Sequence, residues 1–152
     1  MKRLNLFFTI LILFSSSCQD KYTLQDNQRD INEFNEIWQS NGKNGNRLEN
    51  AKLMTDDGIL VRGGKVYSGP EQIRDFLAKQ EENTSFIHQE YETVKEWSSS
   101  DFYMSLGIRS ITYIDTETGD TISTKVPAVN IFERQPDGSL KLSCSMKDSS
   151  GN

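Results

Sequence analysis

Gly107-Ile108-Arg109-Ser110-Ile111-Thr112-Tyr113-Ile114-Asp115 decides the fold class of this chain. Side chains in it alternate, with Ile108, Thr112 and Ile114 on one side and Arg109, Ile111 and Tyr113 on the other, the period of an extended strand. Apolar residues fall on both sides, so each face of the strand has something to bury. The same period runs from Phe86 to the end and predicts strands over 86–97, 102–115, 121–134 and 139–147. Between them lie Ser98-Ser99-Ser100-Asp101, Glu117-Thr118-Gly119-Asp120 and Gln135-Pro136-Asp137-Gly138, which is turn chemistry of the hairpin type. The C-terminal half is therefore a four-strand meander.

Upstream the period is helical. Ile31, Phe34, Ile37 and Trp38 share one face of an amphipathic helix predicted from about Leu24 to Gln39, and the run Ser40–Asn46 is dense in stop signals. Leu48, Ala51, Leu53 and Met54 predict a second, short helix, closed by Thr55-Asp56-Asp57-Gly58. Ile59-Leu60-Val61-Arg62 begins a strand that Gly63-Gly64 turns back into Lys65-Val66-Tyr67. Gly69-Pro70-Glu71 opens a third helix, because proline costs no hydrogen bond in the first turn and glutamate there favours the dipole. Ile73, Phe76 and Leu77 are its apolar face. An α+β fold, with helices on one face of an antiparallel sheet, buries these patterns.

The chain has 152 residues, 35% hydrophobic and 26% charged, enough for one folded domain without a disulfide or a structural metal. Net charge is −5, and no Lys/Arg cluster follows residue 3. Nucleic acid is excluded as a partner on that ground, and so is an anionic membrane surface held by charge alone. A single histidine, His88, and the lack of any glycine-rich phosphate loop or ligand spacing argue against a metal and against a cofactor.

Met1-Lys2-Arg3 is followed by a nearly apolar run from Leu4 to Phe14, too short to span a bilayer. Ser15-Ser16-Ser17-Cys18 then resembles the lipobox of bacterial lipoproteins, with Ser15 where that family prefers leucine. The resemblance implies an export signal over 1–17, an acylated Cys18, a tether over 18–25 and a domain over 26–148, with a tail over 149–152. Acyl chains would hold the protein on a membrane, facing the periplasm or cell surface. A disulfide between Cys18 and Cys144 is the competing reading, since export favours oxidation.

Several motifs in their order carry a second resemblance. Leu53-Met54-Thr55-Asp56-Asp57-Gly58 is similar to the loop of aspartates after helix two in nuclear transport factor 2-like domains. Tyr67-Ser68-Gly69-Pro70-Glu71-Gln72-Ile73-Arg74-Asp75-Phe76 resembles their start of helix three. The strand Gly107–Asp115 and the hairpin Arg134-Gln135-Pro136-Asp137-Gly138 resemble those of SnoaL-like and calmodulin-dependent kinase association-domain-like relatives. The resemblance covers about residues 26–148 and implies three N-terminal helices on a curved, mainly antiparallel sheet enclosing a conical cavity. It licenses a pocket, not a reaction.

What the resemblance implies residue by residue speaks against chemistry. The position of the isomerase base falls at Arg62, which cannot accept a proton. The facing donor position falls at Asn130, which hydrogen-bonds but does not transfer a proton. His88 is the weak candidate for a proton carrier, with Glu90 two residues on; a half-exposed strand histidine is the plainer reading. Leu140, Cys144 and Met146 stand where kinase association-domain relatives carry a tryptophan and two histidines, and period two places them on one face, expected to be the inner one. Arg109 is expected inside the cavity, needing either an acidic partner such as Glu33 or Glu36 or an anionic ligand. The expected function is a lipid-anchored pocket for a small, largely apolar molecule. Arg109 and Asn130 are its polar anchors, and Tyr103, Tyr113, Cys144 and Met146 its walls. The alternatives are a lyase or isomerase and a dimeric accessory module of the envelope, and a homodimer through the outer sheet face is expected.

Overall fold

A computed structural model describes residues 22–147. The export segment 1–17, Cys18, the first part of the tether and the tail 149–152 lie outside the described residues.

Helix α1 spans Leu24–Lys43 and starts on a capping box, in which the Thr23 side chain accepts from the Asp26 amide while the Asp26 carboxylate accepts from Thr23. The domain thus begins inside the segment assigned to the tether. The helix also runs four residues past Gln39 and breaks only at Asn44, before Gly45 with φ 68°. The expected second, short helix is a 3-10 helix, Arg47–Leu53. Strand β1 follows at once over Met54–Arg62, so Thr55–Gly58 forms an irregular strand start and does not close a helix.

Gly63 and Gly64 both take positive φ and turn β1 into β2, Lys65–Ser68. Helix α2, Gly69–Asn83, begins with Pro70 in its first turn. The meander is β3 (Thr84–Ser98), β4 (Phe102–Asp115), β5 (Thr121–Arg134) and β6 (Leu140–Lys147). Six strands make one sheet in the order β2-β1-β6-β5-β4-β3, antiparallel except where β1 lies parallel to β6.

The helices cover the inner face. Ile31 and Phe34 of α1, Ile73 and Leu77 of α2, and Leu60, Tyr103, Phe132 and Leu142 of the sheet form the buried core. Phe34 stacks on Trp38 and meets Phe132 edge-on. Arg134, at the end of β5, fastens α1 to the sheet by donating to Asp30 and Asn27 and to the Gly138 carbonyl, while the Tyr22 ring lies over it.

One register irregularity governs the last strand. Phe132 pairs with Leu142, yet Ile131 pairs with Cys144, so Ser143 is an extra residue in β6. Beyond it the two faces exchange. Ser145 and Lys147 point inward beside Asn130 and Ala128, and Cys144 and Met146 point outward beside Ile131 and Val129. The expectation that Cys144 and Met146 line the cavity is corrected by this bulge.

Gly107 in β4 leaves room for the Tyr91 ring of β3. A Cβ there would stand 2.9 Å from that ring and 2.3 Å from the Glu92 carbonyl. Gly107→Ala is expected to destabilise the fold by about 1–3 kcal/mol, as overpacking does. Urea denaturation measures it, and an unchanged midpoint contradicts the packing described here.

Candidate functional site

The space between helices and sheet is a cavity of about 450 Å³. Trp38, Phe76, Tyr67, Phe86, Ile111 and Tyr113 are among the residues that line it. Five cationic side chains join them: Arg47, Arg62, Lys65, Arg109 and Lys147. Among the described residues no aspartate or glutamate lines it. A net-acidic chain therefore encloses a basic pocket.

Arg109 is buried, only 8% exposed. Its Nη2 donates to Asn130 Oδ1 at 3.0 Å, and its Cζ lies 5.9 Å from the centre of the Tyr91 ring. Tyr91 is fixed in turn by its hydroxyl, which reaches the Ser105 and Ala128 carbonyls. The Nε of Arg109 is buried with no hydrogen-bond partner. Ion pairs among the described residues include neither Glu33 nor Glu36 with this arginine. Of the two readings offered for Arg109, the internal salt bridge is absent there.

Asn130 accepts a second hydrogen bond, 2.8 Å, from Ser145 Oγ. That hydroxyl accepts from Arg62 Nη2 at 2.9 Å, and Arg62 Nη1 donates to the Ser145 carbonyl at 2.7 Å. Two buried guanidinium groups are thus joined through one neutral amide and one hydroxyl. These contacts hold the arginines in place without cancelling their charge. Burial, and then the Arg109 charge, press the Arg62 guanidinium down to about 9; burial presses Arg109 to about 10. Both stay protonated at neutral pH.

Lys147 pairs with Arg62 across β6 and β1 and lines the same cavity. Burial, followed by the charges of Arg62, Arg109 and Arg47, presses its ammonium down to about 7. Arg47 is better satisfied. Its Nη1 donates to the Gln80 carbonyl and the Thr84 hydroxyl, and its amide donates to Glu81.

The residues proposed from sequence are dispersed. Arg109 and Tyr113 line the cavity, while Asn130 sits behind Arg109 and orients it. Tyr103 is 1% exposed, packed on Phe132 in the core, its hydroxyl donating to Glu96. His88 lies on the opposite sheet face from the cavity-lining Gln89, half exposed and 3.1 Å from Glu90. The His88–Glu90 pair therefore forms, but outside the pocket. Sequence reasoning missed Lys147, because the Ser143 bulge reverses its side. It met Arg62 only as an unsuitable base; the signal was a second arginine at the end of a strand, directly before a turn.

The comparisons agree with this architecture. No family model matches the chain, and no curated protein matches it. Among solved structures, it is similar to a nuclear transport factor 2 superfamily protein from Salmonella enterica, at 11% identity and TM-score 0.65 over 82% of this chain and 91% of that one. It is also similar to a ketosteroid isomerase-like protein from Erwinia carotovora atroseptica, at 16% identity and TM-score 0.62 over 80% and 93%. A protein from Catenulispora acidiphila in complex with S-DNPA matches at 14% identity and TM-score 0.64 over 80% and 92%. The fold is that of nuclear transport factor 2-like proteins. Its cavity in this chain is basic.

The pressed-down lysine fixes a pH dependence for the ligand-free protein. Facing it are Arg47, Arg62, Lys65 and Arg109, with Tyr67 and Tyr113 further along the cavity wall. Below pH about 7 both folded and unfolded chains carry the proton, and the cost of burying it is fully present. Between that value and the ordinary 10.5 only the unfolded chain binds it, so stability rises with pH across this window. Lys147→Met is expected to raise Tm at pH 6 by roughly 4 °C, the equivalent of about 1 kcal/mol, and to flatten the rise. Thermal unfolding from pH 6 to 10 checks both.

Proposed function

We propose that this chain is a lipid-anchored envelope protein whose cavity binds a small acidic molecule and does not turn it over. The observation that carries the reading is a cavity lined by five cations and no carboxylate among the described residues. Uncompensated charge in low dielectric destabilises the empty pocket, and an anion that enters it recovers that energy as affinity. The aromatic wall of Trp38, Phe86 and Tyr113 suits an apolar body behind the acidic group. This amends the expected ligand from largely apolar to amphiphilic. Cys18 would hold the domain at the membrane, and residues 19–23 would leave the pocket free of it.

The acid-binding reading is tested by giving the pocket its own carboxylate. Asn130→Asp would place an anion between Arg109 and Arg62. Expected are a Tm higher than that of the parent by roughly 4 °C and at least a tenfold loss of affinity for 4-methylbenzoate in calorimetric titration. An unchanged affinity, or no binding by the parent to begin with, overturns the reading.

We also propose that the domain pairs with a second copy. On the outer face, Trp97, Met104, Ile131 and Cys144 form one row across four strands, and Leu106, Val129 and Met146 form the next. Leu106 is 38% exposed and Met146 46%. Such a continuous apolar surface is the usual mark of an interface. Leu106→Glu is expected to shift residues 19–152 from dimer to monomer in sedimentation velocity; a monomeric parent refutes pairing.

A further inference from the structure

Lys147 is the one cavity cation among the described residues whose side chain has neither an anchoring hydrogen bond nor a position at the turn. Arg47 is tied to Gln80 and Thr84, Arg62 to Ser145 and Arg109 to Asn130, while Lys65 follows the exposed Gly63-Gly64 turn. Lys147 stands in the inward register opposite Arg62 and beside Ala128, on the wall that also carries Arg109. An amine so placed lies next to groups that would hold an acid, and among the described residues no carboxylate forms an ion pair with it.

We propose that Lys147 captures acids bearing an aldehyde or ketone group by forming an imine in this cavity. The proposal rests on the acid-binding reading and specifies the ligand class for it. The carboxylate sits on the Arg109 and Arg62 guanidiniums, which fixes the carbonyl carbon within reach of the Lys147 amine. The nitrogen lone pair attacks that carbon, and the C=O π pair moves to oxygen, which takes a proton from nitrogen to give a carbinolamine. Nitrogen then re-forms the double bond to carbon, and the oxygen leaves as water with the second amine hydrogen. Neither oxidant nor reductant is needed. The capture is reversible.

Charge favours the neutral amine that the step requires. Burial disfavours a charged amine, and the neighbouring Arg62, Arg109 and Arg47 charges act in the same direction, which brings the amine to its nucleophilic form near neutral pH. Guanidinium N–H groups facing the cavity also polarise a carbonyl oxygen brought against them.

The test incubates the intact domain, residues 19–152, with glyoxylate or with 4-formylbenzoate, adds cyanoborohydride at pH 7.5, and maps the reduced adduct by peptide mass spectrometry. Expected is one dominant adduct, at Lys147, suppressed at least tenfold by excess 4-methylbenzoate and by Asn130→Asp. Benzaldehyde, which lacks the acid, is expected to label that site at least tenfold less. Lys147→Arg should abolish the adduct; if that variant does not fold, competition in the parent decides alone. Binding of 4-methylbenzoate with no preferred adduct at Lys147 for either aldehyde acid overturns the imine while leaving acid binding intact. Absence of both binding and adduct overturns the two together.

Discussion

The extra residue Ser143 in β6 is the constraint on which the site depends. A strand exposes alternate residues to opposite faces, so one inserted residue reassigns every side chain beyond it. Before the bulge, Leu142 joins the core against Phe132. After it, Ser145 and Lys147 turn inward, and Ser145 becomes the link between Asn130 and Arg62. Without the bulge, Cys144 and Met146 would face the cavity and Lys147 would face away. The pocket would then be apolar where it is now basic.

The same link explains how two guanidiniums coexist in a buried place. Arg62 and Arg109 both lean on a neutral pair, Asn130 and Ser145, which satisfies some of their hydrogens but none of their charge. A carboxylate in place of the amide would cancel one of the two charges. The pocket therefore combines order with an unspent electrostatic preference. Tyr91, whose ring lies over Gly107, supports Arg109 from the β3 side.

Charge and apolar surface are thus sorted by face. The inner side of the sheet grades from the core of Phe34, Phe132 and Leu142 to the cationic cavity. The outer side keeps Trp97, Leu106, Ile131 and Met146 in adjacent rows. Both gradients follow from strands whose two faces are partly apolar, as the alternation around Gly107–Asp115 required.

Periodicity alone determined the three helical segments, the hairpin at Gly63-Gly64 and the four-strand meander, because helix and strand place their side chains by local geometry that the order of residues encodes directly. Period two set Arg109 only on the side of Ile111 and Tyr113, and no bulge intervenes between them; that this side faces the cavity was implied by the family resemblance. Element ends were less legible: the 3-10 helix and the early start of β1 depend on packing, and local propensity does not distinguish them from a full helix and its cap. Tertiary structure alone decided that Lys147 and Arg62 meet Arg109, that Tyr103 is core and that His88 is outside the pocket. Those facts depend on register between strands far apart in sequence; for Lys147 a single unpaired residue, Ser143, sets it without leaving a mark on the alternation itself, and for His88 the register shift between Phe86 and His88 does so.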